Sequence, residues 1–290
     1  MKGARSGDMK VRKFDPCPQL APFVKSFWIM TNELNAPEYI FGSPMAMCPD
    51  GYIDIVFILG AESRYSIPRK HEIKKDTGLI LGIITENHTL AVDGNFIIAG
   101  IKIFPHSLGL FFDIEAGEIT DALALLSDAG DLSYEEMIEK LQENITDTDK
   151  TISILEDYML KKLHGNIDDK IKMIDYSIKT IKRHNGSIVI NKLAGHLGLS
   201  KRLLEMRFEK LVGVGPKLFS RIIRINQAAL LDDNDTIKKF IESSLNLGFF
   251  DQSHYIKEFK KFTGMTPKQY YELCVRRFQL EKHADAGRKN

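Results

Sequence analysis

The chain has 290 residues, 43% of them apolar, and 40 Lys+Arg against 39 Asp+Glu for a formal charge of +1. This composition excludes a disordered chain and leaves room for about two domains, each with its own core. The near-zero sum hides a division, because residues 1–169 stand at −11 and residues 170–290 at +12. Asymmetry on this scale points to a nucleic-acid-binding portion joined to a portion with another task.

No apolar run approaches the roughly 18 residues of a membrane span. The basic start, Met1 to Lys13, lacks the apolar stretch of a secretory signal, so a cytoplasmic protein with no membrane partner is expected. Cys17, Cys48 and Cys274 are odd in number and far apart, which suits reduced thiols and suits neither a disulfide framework nor a zinc ribbon.

In chain order, Ile53 to Leu59, Leu79 to Ile84 and Phe96 to Phe104 are rich in β-branched and aromatic residues and read as strands. The Asp93-Gly94-Asn95 cluster between them suits a tight turn. From about Thr120 the spacing turns helical, with a capping-box signature from Ser133 to Glu136, then Met137, Ile138 and Leu141 on one face. A second helix carries Ile152, Leu155, Met159 and Leu163, and His164-Gly165-Asn166 supplies its stop. The expected fold class is thus an α+β chain of two domains. Residues 1–165 form a regulatory domain, β-rich over about 14–115 with a cupin-like barrel as one form of it, and helical over about 120–163. Residues 166–278 form an all-α domain, and 279–290 a polar tail. Ile171, Ile174, Ile178 and Ile181 open the second domain as a stripe read as core.

Among the chemistry-bearing residues of the first half, His71, His88 and His106 lack metal-ligand spacing, and no cofactor is implied. Cys48 reads as a small core residue. Phe27, Trp28 and Tyr52, with Phe23, are aromatics that serve either as core or as the lining of an effector pocket. No phosphate loop, nucleophile elbow or usable carboxylate pair supports catalysis. The competing reading is an enzyme with its active site in residues 14–115, tethered to a helical interaction module.

The second half repeats one grammar twice. Leu193, Ala194 and Leu197 precede Gly198, a residue that permits a sharp turn; Ser200 follows as an N-cap candidate, and Leu204, Phe208 and Leu211 continue. Ile237, Phe240, Ile241 and Leu245 likewise precede Gly248, with Asp251 as the cap and Tyr255, Phe259 and Phe262 beyond. These are two helix-turn-helix units, over about 191–212 and 236–263. One such unit also describes an ordinary helical hairpin; two, whose caps stand 51 residues apart, are a stronger signal. Between them Leu218, Ile222, Ile225 and Ala229 mark one long helix with Pro216 in its first turn, a spacer that sets the separation of two readers.

Residues from about 171 to 275 resemble the DNA-binding domain of the AraC/XylS family of transcription regulators. The resemblance is carried by Gly248-Phe249-Phe250-Asp251-Gln252-Ser253-His254-Tyr255, Phe259-Lys260, Gly264-Met265-Thr266-Pro267 and Tyr270. In the first unit it rests on Leu193-Ala194, Leu199-Ser200, Leu204, Phe208, Gly213, Pro216 and Arg224. Departures from the family pattern are Val189 at a helix cap, Met206 where an arginine is common, and Tyr271. Phe14-Asp15-Pro16, Leu20-Ala21-Pro22-Phe23-Val24, Phe27-Trp28 and Pro49-Asp50-Gly51-Tyr52 resemble the sensor-type domain that precedes this DNA-binding domain in one branch of the family, a domain with no assigned ligand.

The resemblance implies a bacterial-type DNA-binding regulator that is not an enzyme. Arg202, Glu205 and Met206 in the first unit and Gln252, Ser253 and Lys257 in the second are the expected base readers. Lys192, Lys201, Lys210, Lys260 and Lys261 are expected near phosphates. Double-stranded DNA is the implied partner, and RNA polymerase, a small-molecule effector and a second copy of the chain are further candidates.

Overall fold

The apolar runs of the first half become antiparallel strands in a computed structural model that describes residues 9–32, 45–60, 63–67, 69–92, 96–131, 133–164, 167–230, 248–270 and 272. In order they are β1 (Met9–Phe14), β2 (Val24–Asn32), β3 (Met45–Met47), β4 (Ile53–Leu59), β5 (Ser63–Ile67), β6 (Arg69–Ile73), β7 (Thr77–Leu81), β8 (His88–Val92), β9 (Ile97–Ile103) and β10 (Leu123–Leu125). Six of them pair in the order β1-β2-β9-β4-β7-β10, and four form a second sheet, β3-β8-β5-β6.

The six-stranded sheet is the middle layer. Its Phe27, Ile53, Ile55, Phe57 and Ile101 pack against α1 (Tyr134–Asn144), α2 (Thr148–Lys162) and the 3-10 turn Pro105–Leu110. On the other face Met30, Val56, Ile58 and Ile98 meet Ile73 and Leu90 of the smaller sheet. Central strands covered on both faces need apolar residues at nearly every position, which is why β4 and β9 are apolar apart from Asp54 and Lys102 rather than alternating. Trp28 lies opposite Gly100 in the β2–β9 register. A Cβ at Gly100 would stand 2.1 Å from the indole, so glycine is what leaves room for the ring.

Two local expectations are corrected. The strand foreseen to Ile84 ends at Leu81, and Ile83 leaves the sheet to join the core of the second half. Ser133 sits at the N-cap of α1, yet its side chain caps nothing. Its hydroxyl and amide both donate to Asp131, while Glu136 pairs with Lys140. A buried carboxylate is the stronger acceptor, so the reciprocal capping box does not form. The turn foreseen at 93–95 and the stop at 165–166 lie outside the described residues.

The second half is helical: α3 (Asp169–Arg183), α4 (Ile190–His196), α5 (Lys201–Val212), α6 (Pro216–Leu230) and α7 (Gln252–Thr263). Ile174, Ile178 and Ile181 of α3 face a core shared with Leu204, Phe208, Phe219, Ile222, Tyr255 and Phe259. Ile171, the first member of that stripe, packs instead on the core of the first half.

The two halves meet along a seam that mixes charge with aromatic surface. Lys102 bridges Asp50 at 2.6 Å and Asp54 at 2.8 Å. Burial alone would lower its pKa, but the two carboxylates more than offset that and hold it above the ordinary lysine value. His106, from the 3-10 turn, is lowered to about 4 by burial, against the opposing pull of Asp175 on α3.

Lys182 of α3 reaches across the seam with its Nζ 3.5 Å from the centre of the Tyr52 ring. That Nζ is buried and makes no hydrogen bond among the described residues. Burial lowers the amine to about 7, with Asp50 opposing and Lys25 and Lys102 assisting. The unfolded chain, with an ordinary lysine pKa, therefore binds more protons than the folded one between about pH 7 and 10.5, and stability rises with pH across that window. Thermal unfolding from pH 7 to 9 should show the wild type gaining stability relative to Lys182→Met; a constant difference between the two would contradict the assignment.

Candidate nucleic-acid interface

The first reading unit follows from its glycines and its cap. α4 ends at His196, Gly198 takes a left-handed φ of +66°, and the Ser200 hydroxyl accepts from the Leu203 amide at 3.2 Å to start α5. Leu193, Ala194, Leu204, Phe208 and Val212 are buried. At α4 the N-cap position holds Val189, half exposed and with no side chain able to cap, as the departure from the family pattern implies.

The outward side of α5 carries Lys201, Arg202 and Met206, all exposed, with Glu205 partly covered. Lys201 lies 3.5 Å from Glu205 one turn on, an exposed pair that costs little to break. Lys192 is exposed on α4. Lys210 differs from the other expected phosphate contacts: it is bound to Glu115 of the first half at 2.6 Å, which raises its pKa.

For the second unit, the first helix foreseen within 236–247 lies outside the described residues. Its turn and reading helix are described. Gly248 has a φ of +81°, and the Asp251 carboxylate accepts from the His254 amide at 2.7 Å to cap α7. Tyr255, Phe259 and Phe262 are buried, while Gln252, Ser253, Lys257, Lys260 and Lys261 are exposed. The alternation just before the helix sends Phe249 into the core, against Tyr255 at 5.0 Å between ring centres, and leaves Phe250 outside.

Helix α6 ties the two units together. Arg224 donates to the carbonyl of Gly248 and to that of Gly186, both at 3.0 Å, so one guanidinium joins the turn of the second unit to the loop after α3. Arg221 forms a two-point bond with Glu258 of α7, 2.7 Å at each contact. Burial would raise the Glu258 carboxyl, and the Arg221 guanidinium brings it below its usual value. Neither clamp is visible as a spacing in the sequence, because the partners are far apart along the chain.

Both reading helices end against the first half. Gly213 closes α5 with a φ of +91°, accepts a hydrogen bond from the Thr120 hydroxyl at 2.6 Å, and has no room for a Cβ. Gly264 closes α7 with a φ of +74°, and a Cβ there would stand 2.7 Å from the Asn87 side chain. Each glycine thus meets two demands at once, the left-handed cap and the close approach.

The aromatics considered for an effector pocket do not come together. Phe27 is fully buried on the helix-covered face of the sheet, and Trp28, as the next strand residue, points to the other face, where its indole donates to Asp54 at 3.0 Å. Tyr52 lies at the seam under Lys182, with Lys102, the partner of Asp54, 5.5 Å from its ring centre. His88 lies 3.3 Å from Asp121, away from His71 on β6. Cys17 and Cys48 are half-buried, and Cys274 lies outside the described residues.

Comparison with known proteins matches two separate segments of the chain. Residues 12–124 match a domain of unknown function (DUF6597), and residues 193–272 match a helix-turn-helix domain. The melibiose operon regulatory protein of Escherichia coli (strain K12) is 30% identical over 99 residues, 34% of this chain and 32% of that protein. The HTH-type transcriptional regulator MtrA of Neisseria gonorrhoeae is 32% identical over 92 residues, 32% of this chain and 30% of that protein. The match thus spans about a third of the length of these curated relatives. A structure of ToxT from Vibrio cholerae superimposes with a TM-score of 0.48 at 14% identity, over 92% of this chain and 98% of that one. The chain therefore carries a DUF6597 domain over residues 12–124, followed by a helix-turn-helix domain over residues 193–272.

Proposed function

We propose that the protein is a cytoplasmic, sequence-specific transcription regulator that binds double-stranded DNA through α5 and α7 and performs no catalysis of its own. The observation that carries this reading is the pairing of two capped helices, each exposing polar and basic side chains on its outward side, with a spacer helix clamped to the second unit at both of its arginines. A helix entering the major groove reads base edges with its N-terminal side chains. Gln252 suits the two-point edge of adenine, Glu205 the amino group of cytosine, and Arg202 and Lys257 the acceptors of guanine, with Ser253 and Met206 beside them.

Lys192, Lys201, Lys260 and Lys261 supply phosphate contacts whose contribution falls with salt. Lys210 joins them only when released from Glu115. The acidic first half acts as the regulatory part, responding to an effector or a partner, with RNA polymerase and a second copy of the chain as the further partners.

On a duplex selected with the full-length protein, Gln252→Ala should weaken specific binding by about 1 to 3 kcal/mol and relax preference at one position, whereas Lys260→Ala should weaken all sequences alike. Equal losses on specific and random duplexes for both variants would remove Gln252 from the readers.

A further inference from the structure

Large apolar side chains left in water are few among the described residues: Val11, Ile167, Tyr176, Val189, Met206 and Phe250. Two of these six fall on the two reading units, and they are the most exposed, Met206 at 59% and Phe250 at 91%. A scattered surface hydrophobe needs no explanation. A phenylalanine almost wholly in water, held at the entrance of a reading helix, does invite one.

Its position is fixed by its neighbours rather than by contacts of its own ring. Phe249 is anchored in the core against Tyr255, with the Arg224 guanidinium 5.3 Å from its ring. Asp251, on the other side, is extended and locked as the cap of α7 through the His254 amide. The Phe250 amide itself faces His254 Nδ1 at 3.4 Å. Between these anchors the backbone holds the Phe250 ring outward, immediately ahead of the exposed Gln252 and Ser253.

We infer that Phe250 is a specificity residue that reads the C5-methyl group of a thymine in the major groove. This inference rests on the proposed DNA-binding function and adds to it a reader that makes no hydrogen bond. Thymine alone among the four bases presents a methyl group on the major-groove edge, and an aromatic side chain meets it by apolar contact. The ring and the methyl group would leave water together, which supplies the driving force that the exposed ring lacks in the free protein. Polar and apolar readers then divide the work in α7: Gln252 and Lys257 select by hydrogen bonds, and Phe250 by the presence of a methyl group.

The test uses the full-length protein and a duplex it has selected from a random pool, in which each thymine is replaced singly by uracil, a change that removes only the methyl group. For the wild type, one such replacement within the segment bound by α7 should weaken binding about fourfold, the equivalent of one apolar carbon. Phe250→Ala, at an exposed position that leaves the core intact, should bind the parent duplex about tenfold more weakly. The variant should be indifferent to that same replacement. A uracil effect of equal size in both proteins, or none at any thymine, overturns the inference while leaving Gln252→Ala able to support the DNA-binding reading. A protein that binds no duplex overturns both.

Discussion

The arrangement of the second half depends on what α6 holds. A helix at the centre of a small core can pack in several rotations, and apolar side chains such as Phe219, Ile222 and Ile225 select among them only by shape. Arg224 adds direction, since its two nitrogens donate to carbonyls in two separate loops at one time. Arg221 adds a second fixed point on α7 through Glu258. Because those carbonyls and that carboxylate would otherwise need water, losing either arginine leaves acceptors unsatisfied as well as removing a bond. A separation held in this way cannot adapt freely to the roughly 34 Å groove repeat, so any mismatch falls on the DNA as bending.

The same rigidity extends into the first half. The carboxyl ends of α5 and α7 both stop at left-handed glycines pressed against it, one by Thr120 and Ala116, the other by Asn87. Ile83 of the first half is part of the core of the second, and Lys182 of the second lies on an aromatic ring of the first. The opposite charges of the two halves act across this seam at the Lys210–Glu115 pair, where the acidic half holds a lysine suited to phosphate. The overall charge of +1 is thus a balance between surfaces in contact, and not a sign of indifference to nucleic acid.

Much of this was legible in the sequence because it is local. The turn glycine at 198, the caps Ser200 and Asp251 and the apolar spacing of α5 and α7 are short-range signals, and each appears where the residues foretold it. What was hidden is what depends on long-range partners. The capping box at Ser133 lost to Asp131, a residue whose buried carboxylate also binds Lys162 and Tyr158 from α2. Trp28 and Phe27 look alike as aromatics in a string, yet adjacent strand positions send them to different layers. The exposure of Phe250 is equally invisible, since Phe249 beside it has the same composition and the opposite fate.

The proposed function requires that two helices, held at one separation by α6, read two consecutive segments of one duplex. It is tested most directly by inserting about five base pairs, half a helical turn, between those two segments of a selected duplex and measuring affinity at fixed salt. Binding should fall towards the level of random DNA, because the braced helices cannot face both segments. Unchanged affinity for the lengthened site would contradict it.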